Sequence, residues 1–454
     1  MTSTRAILAI NAVATRALRQ AFCGCWHSIN GGRNNFCKEG YLAMATVSPF
    51  SSLAKPSVME SSSFETNHAL KMEEMPSPRL PAKLNAESLV VIPSLKSQLS
   101  TMPPLTELRF GRYFTDHMLT INWDIQNGWH YPIISTLEPL SLHPACTALH
   151  YGLEIFEGLK GFKTKNGKVI LFRPDQNLKR MNRSAARMAL PTFDEDQMLI
   201  LIKKLVELDK EWIPQEEGFS LYIRPCLFST HCSLGVDVPS SAKLVVILSP
   251  CGPYYKNGFN PIQLHAETKF SRAYPGSVGD CKVGGNYGPT VSVQGSAAKK
   301  GYSQILWLHP SGEDFKLTEA GTMNLFVHWV TPEGKKQLIT PPVRDNLILP
   351  GITRDAIIKL TQEGGEIEVI EGEILMRRDF LKAHKEDRLL EVFGAGTAAV
   401  VSPIKSIGFE GNEYILPVNK EKPDEMIGPL GKRLVTQLYD IQYGRAPHEW
   451  AVEI

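Results

Sequence analysis

The stretch Gly279-Asp280-Cys281-Lys282-Val283-Gly284-Gly285-Asn286-Tyr287-Gly288-Pro289-Thr290 sets the reading of the whole chain. One lysine heads a glycine-rich turn. Pro289 then opens a helix predicted over 290–300, and Gly301 ends it; proline at a helix start and glycine past its end are the expected punctuation. Gly284 and Gly285 remove side chains beside Lys282, so another molecule can approach the backbone closely there. A lysine held in a poorly solvated place loses basicity and can form a Schiff base with a carbonyl. Lysines ahead of glycine turns are common and mostly solvated, so this reading needs support from the rest of the chain.

Downstream, 304–308 reads as a strand, and Thr318-Glu319-Ala320-Gly321-Thr322-Met323-Asn324 leads into another at 325–329. Glu319 stands before a glycine turn against apolar strands, where an unpaired carboxylate is expensive. A protonated heterocycle nitrogen or a neighbouring lysine would each satisfy it. Pro350-Gly351-Ile352-Thr353-Arg354-Asp355 opens a helix that ends near Gly364-Gly365, and the free N–H groups of such a start favour an anion. Phe393-Gly394-Ala395-Gly396-Thr397-Ala398-Ala399 reads as a second glycine-rich turn, offering backbone donors and a hydroxyl to a phosphate or carboxylate. It is not a P-loop, because no Gly-Lys-Ser/Thr follows, and it is too short for a dinucleotide fingerprint.

Upstream, patterning begins near Leu89. His150-Tyr151-Gly152-Leu153-Glu154-Ile155-Phe156-Glu157-Gly158 carries two aromatics, Tyr151 and Phe156, that by themselves read as core. Asn166-Gly167 marks a hairpin, followed by a strand over 169–173 that Pro174 stops. Arg173 closes that strand, as a surface anchor or as a guanidinium fork for a phosphate. Helices are predicted over 176–190 and 195–213 as packing elements. In the strand after Gly218, Tyr222 and Arg224 share one face, suited to a carboxylate beside an apolar wall or to a salt bridge. A buried strand over 243–249 precedes the turn Gly252-Pro253-Tyr254-Tyr255. A lysine, an acid for a ring nitrogen and several phosphate donors without a metal together match pyridoxal phosphate.

Length and composition bound the class. The 454 residues leave room for two domains and a leader, and 43% hydrophobic with 21% charged residues is ordinary for a globular protein. A formal charge of +2 speaks against a nucleic-acid surface, and no apolar run is long enough to span a bilayer. The eight cysteines form no CxxC pair or zinc spacing and read as free thiols. The first acidic residue is Glu39. Before it, Arg5, Arg16 and Arg19 fall on one side of a helix, with Ile7, Ile10, Ala14, Ala17 and Ala21 on the other. Such a start reads as a mitochondrial targeting segment. A secretory signal, interrupted by Asn11, is the rival; a plastid address and a cytosolic form started at Met44 or Met59 are the alternatives.

The stretch 282–290, Leu317–Asn324, Leu349-Pro350-Gly351, Phe393–Ala398 and the C-terminal Gln442-Tyr443-Gly444-Arg445-Ala446-Pro447-His448-Glu449-Trp450 closely resemble the branched-chain amino-acid aminotransferases of eukaryotes. The likeness runs in order from about residue 100 to the end. It implies fold type IV of the pyridoxal-phosphate enzymes, a mixed α+β and α/β chain in two domains that forms a homodimer. The resulting layout is a targeting leader over 1–40, a disordered linker over 41–88, a small α+β domain over 89–256, a connection over 257–272 and a large domain with a barrel-like sheet over 273–454.

By the same resemblance, Lys282 would be the Schiff-base lysine, Tyr287 would bond the ring's phenolic oxygen, and Glu319 would hold the ring nitrogen protonated. Arg173, Ile352, Thr353 and Thr397 would hold the phosphate. Phe110, Tyr151, Phe156, Tyr222 and Tyr254 would line the side-chain pocket. Leu234 and Val236 would reach the pocket of the partner subunit. Thr322, Thr397 and Ala398 would lie near the substrate carboxylate, and Arg224 near the groups that admit glutamate. The implied activity is reversible transfer of the amino group of Leu, Ile or Val to 2-oxoglutarate in two half-reactions. Its nearest rivals are a D-amino-acid aminotransferase or an aminodeoxychorismate lyase of the same fold type; a silent oligomer that binds a partner protein is a rival of another class. In one respect the chain departs from the animal mitochondrial relatives: the two positions of their CxxC pair are Ala399 and Ser402 here, so that thiol switch is not expected.

Overall fold

A computed structural model describes residues 82–95, 97, 99–253 and 260–454, which lie in one compact unit. The expected leader, most of the linker and Tyr254 fall outside these residues. Chain expected to be linker is already packed at its end: Ala82 bridges Gly128, Leu84 is buried, and the Asn85 side chain caps the turn Ala86–Ser88.

Two sheets organise the protein. The first contains β1 (Val90–Val91), β2 (His117–Asp124), β3 (Gly128–Trp129), β4 (Ile133–Thr136), β5 (Glu154–Phe156), β6 (Leu159–Lys163), β7 (Val169–Phe172), β8 (Ser220–Ser229) and β9 (Ser241–Cys251). Its longest ladder pairs β8 with β9, antiparallel from Ser220↔Cys251 to Ser229↔Ala242. Period-two alternation divides the side chains of β8, sending Leu221 and Ile223 into the core and leaving Tyr222 and Arg224 on the opposite face. Helix α1 (Thr147–Tyr151) precedes β5. Helices α2 (Pro174–Arg187) and α3 (Glu195–Leu208) cover the core face, where Leu178, Met181, Ile202 and Leu205 meet Leu171, Leu221 and Val246.

Pro174 does more than stop β7. It occupies the first turn of α2, where its missing N–H has no intrahelical use. Helix α3 is shorter than the periodicity predicts. Asp209 leaves the helix to hold His117, Oδ1 to Nδ1 at 2.6 Å, and a short 3-10 turn follows at Lys210–Trp212.

The second sheet contains β10 (Ile262–Glu267), β11 (Gln304–Ser311), β12 (Asp314–Ala320), β13 (Met323–Val330), β14 (Lys336–Thr340), β15 (Glu368–Glu371), β16 (Leu389–Gly396), β17 (Val400–Phe409) and β18 (Asn412–Ile415). The order β12-β11-β10-β17-β16-β13 returns on itself because β13 also pairs with β12, which closes a barrel. Along β13, Leu325 and Val327 belong to the core of the barrel. Phe326, between them, stacks on Phe393 at 5.3 Å under α5 (Ile352–Gly364) and α6 (Pro429–Gln442). Residues 393–396, read from the sequence as part of a turn, are the end of β16; the turn is confined to 397–399.

β10 and β11 are parallel, so the chain between them must cross over, and it does so through the Lys282 loop and α4 (Thr290–Lys299). The last strand, β19 (Ala451–Glu453), returns to the first sheet beside β7. Among the described residues no helix is long and apolar enough to cross a membrane.

Candidate active site

A cavity of about 400 Å³ lies between the cavity face of β8 and the rim of the barrel. Lys282 enters it from the β10–β11 crossover. Its backbone is held on both sides: the Phe156 N–H donates to the Lys282 carbonyl at 3.0 Å, and the Lys282 N–H donates to Ser184 Oγ at 2.9 Å. The short turn Gly284–Asn286 brings Tyr287 back over the lysine, and Nζ donates to Tyr287 Oη at 2.9 Å. Nζ also lies 4.6 Å from the Phe156 ring centroid. The space freed by Gly284 is taken by the chain itself, since a Cβ there would come 2.0 Å from Glu154 Oε1.

Glu319 is 3% exposed and sits opposite Asn324 in the pairing that closes the barrel. Arg272 Nε forms an ion pair with Oε2 at 2.8 Å, while Asn324 Nδ2 and the Leu349 N–H donate to Oε1 at 3.1 and 3.2 Å. Burial drives this carboxyl above its usual range, against the pull of the Arg272 charge. The partner is an arginine brought from residue 272, where the sequence offered only a heterocycle nitrogen or a lysine.

The opposite end of the cavity is built for an anion. Gly351 caps α5 without any side-chain bond, leaving the N–H groups of Ile352 and Thr353 on the wall beside Thr397. Arg180 completes it. Glu157, fully buried, takes Arg180 Nε on Oε1 at 2.7 Å and Nη2 on Oε2 at 2.8 Å; Asn177 Nδ2 adds a bond at 2.7 Å. Burial alone would raise the Glu157 carboxyl. The Arg180 charge and its bonds, with help from Lys282 and Asn177, outweigh that and hold it below the usual range.

Arg173, expected at the phosphate, is not on this wall. It adopts a left-handed backbone (φ 49°), gives Nη2 to Asp355 Oδ2 at 2.6 Å and Nη1 to the Ile352 carbonyl at 3.3 Å, and lies 4.4 Å over the Trp450 ring. Its charge is answered by Asp355 and the C-terminal tail, and the arginine on that wall is Arg180. The sequence signal for Arg180 was thin: a cation on a packing helix, matched by an acid at Glu157 that no spacing rule connects to it.

Phe110, Phe156, Tyr222 and Arg224 line the cavity, as do Thr322 and Ala398. Phe110 meets Tyr222 edge-on at 4.7 Å. Arg224 Nη2 donates to Tyr222 Oη at 3.1 Å, its guanidinium lies 4.9 Å over Phe156, and its buried Nε has no partner. Tyr151 is not brought in. Its hydroxyl donates to the Leu234 carbonyl at 2.5 Å, and Leu234 and Val236 are 73% and 77% exposed, away from this cavity. Beyond Arg180 and Arg272, the sequence reading passed over Asn324, which supports Glu319, and Gly158 and Met323 on the wall. Among the described residues no cluster of three or more His, Cys, Asp or Glu could hold a metal ion.

Known proteins resemble this chain over most of its length. The family described as amino-transferase class IV matches residues 154–407. A branched-chain-amino-acid aminotransferase of Dictyostelium discoideum is 47% identical over 369 residues, covering 81% of this chain and 95% of its own. The mitochondrial enzyme of that name from Bos taurus is 46% identical over 352 residues, covering 77% and 87%. Among solved structures, the branched-chain amino acid aminotransferase of Escherichia coli superposes with a TM-score of 0.56 at 26% identity, covering 75% of this chain and 98% of that one. The enzyme of Thermobaculum terrenum in its pyridoxal-phosphate form has a TM-score of 0.58 and shares the fold at 20% identity.

Proposed function

The chain belongs to the class IV aminotransferases, and within them to the branched-chain amino-acid aminotransferases, which use pyridoxal phosphate; on that premise we propose that it exchanges the amino group of Leu, Ile or Val with 2-oxoglutarate, with Lys282 as cofactor-bearing lysine and proton carrier. The observation that carries this reading is the opposition, in one cavity, of the Lys282–Tyr287 pair, the buried Glu319–Arg272 pair and an anion cup at the start of α5.

The residues fit the cofactor. Its phosphate would be held by Arg180, the Ile352 and Thr353 N–H groups and the Thr397 hydroxyl, and its ring nitrogen by Glu319. When bound, it supplies an electron sink for the bond broken at the substrate Cα. Arg272 and Asn324 would orient the Glu319 carboxyl toward that nitrogen. Lys282 would take the Cα proton on Nζ and return it one position along, with Tyr287 Oη steering Nζ.

Phe110, Phe156 and Tyr222 favour branched side chains by burial, worth about 1.5–3 kcal/mol each. One methylene changes this little, so Leu, Ile and Val are not sharply separated. Arg224, with its unanswered Nε, and Tyr222 Oη receive the distal carboxylate of the acidic partner substrate. Thr322 and Ala398, on the cavity wall, would meet the α-carboxylate. Tyr151, Leu234 and Val236 form a lip that closes the cavity of a second copy, making the protein a homodimer. The leader directs it to mitochondria, with a plastid or a cytosolic form as the other destinations.

The test is amino transfer from L-leucine to 2-oxoglutarate by the purified holoenzyme. Wild type is expected to turn over and Lys282→Ala to be inactive. Wild-type rates in Lys282→Ala, or a preference for D-alanine over L-leucine, would overturn the reading.

A further inference from the structure

Cys146 and Cys232 lie far apart in the chain but directly opposite each other in an isolated antiparallel bridge. The bonds flanking them, Thr147 N–H to the His231 carbonyl at 2.9 Å and Ser233 N–H to the Ala145 carbonyl at 3.0 Å, sit one residue outside the pair. This is the non-hydrogen-bonded kind of pair, whose Cα atoms come to about 4.5 Å and whose side chains project from the same face. A disulfide asks for a Cα separation of about 4.4–6.8 Å. We propose that Cys146 and Cys232 are an oxidation site that closes reversibly into an intrachain disulfide.

Nothing else engages these thiols strongly. Cys146 Sγ donates to the Ser229 carbonyl at 3.0 Å and Cys232 Sγ to the Thr230 carbonyl at 3.6 Å, weak bonds that a rotation about χ1 releases. Cys232 is exposed and meets oxidant first, while Cys146, 1% exposed, waits behind it. The remaining described cysteines lack both features. In the ladder Cys226 faces Val245 and Phe156, and Cys251 faces Ser220. Burial pushes the Cys226 thiol up to about 12 and the Cys281 thiol to about 11, which keeps them protonated and unreactive.

With hydrogen peroxide as oxidant the step balances. Cys232 sulfur attacks one peroxide oxygen, the O–O bond breaks, and sulfenic acid and water result. Cys146 sulfur then attacks the sulfenic sulfur; the S–S bond forms, the S–O bond breaks, and hydroxide leaves as water with the Cys146 proton. Two thiols and one peroxide thus give one disulfide and two waters. Cys232 is exposed, which opens the bond to attack by dithiols. Once closed, it ties the residue preceding α1 to the loop that carries Leu234, which Tyr151 at the other end of α1 already holds by its carbonyl. The site is separate from Ala399 and Ser402, and it does not depend on where Leu234 and Val236 dock.

Reduced full-length holoenzyme is exposed to stoichiometric hydrogen peroxide, remaining thiols are alkylated, and peptides are mapped by mass spectrometry without reductant. A peptide pair joining Cys146 to Cys232 is expected, lost on treatment with dithiothreitol, with Cys226, Cys251 and Cys281 still alkylated. Cys232→Ser, at an exposed position that leaves folding intact, removes the pair. Cys146→Ser leaves Cys232 to overoxidise. The proposal is overturned if wild-type Cys232 overoxidises, or pairs with another cysteine, while Cys146 remains alkylated.

Discussion

A guanidinium matched by one carboxylate can still serve a second anion, because it has five N–H donors. Arg180 gives three of them to Glu157 and to the Pro350 carbonyl, and the rest remain for the cavity. Arg180→Met would remove the proposed phosphate ligand and also strands a buried carboxylate, a loss of about 3–5 kcal/mol for a broken buried pair. Both the melting temperature and cofactor affinity are expected to fall. Adding Glu157→Gln should restore the melting temperature without restoring affinity, as read by the cofactor dissociation constant; recovery of both would remove Arg180 from the phosphate. Arg173→Met should leave that constant within about twofold, since Arg173 is off the wall. The sign of the acid response follows from the same pair. The Glu157 carboxyl is depressed on folding, so its contribution is complete above about 4.5 and is lost as pH falls through the folded value. The double variant should therefore lose less stability in acid than wild type, measured as melting temperature against pH.

At the scale of elements, the site is a meeting of one helix start with one strand pairing. Asn324 stands on β13, opposite Glu319 on β12, and its Nδ2 also bonds the Leu349 carbonyl at the approach to α5. Gly351 is needed for space and not for an unusual backbone, its φ being −69°. A Cβ at this position would come 2.0 Å from Asn324 Oδ1. Gly351→Ala is therefore expected to displace Asn324 and tilt the start of α5 against Glu319. A shift of this size in a positioning group costs on the order of 100-fold in rate. Stopped-flow absorbance of the leucine half-reaction measures it; a rate within about twofold of wild type would mean that the α5 start tolerates the displacement.

On the scale of the whole molecule, the proposed homodimer makes a test that single-site variants cannot. In a two-fold assembly each cavity would take Lys282 from one copy and Leu234 from the other. Leu234→Asp and Lys282→Ala homodimers should both be nearly inactive. Refolded together in equal amounts, about half the dimers are mixed and one of their two sites is intact, so about a quarter of wild-type activity is expected. No recovery of leucine transamination on mixing would place Leu234 outside the partner's site. What the chain determined by itself was local: the lysine before a glycine turn, the acid before Gly321, the helix starts at Pro289 and Gly351, and the shared face of Tyr222 and Arg224. These were legible because backbone preference and burial periodicity repeat within a few residues. The tertiary structure decided which charges meet. It gave Glu319 to Arg272 and Glu157 to Arg180, spent Arg173 on Asp355, and turned Tyr151 toward Leu234. The Glu319 partnership forms where the barrel closes and the Arg173 partnership joins the start of α2 to α5, while the other two form within the first sheet and its helices. A charge pair is selected by distance in space once desolvation makes every unpaired alternative costly, and no local periodicity encodes that distance.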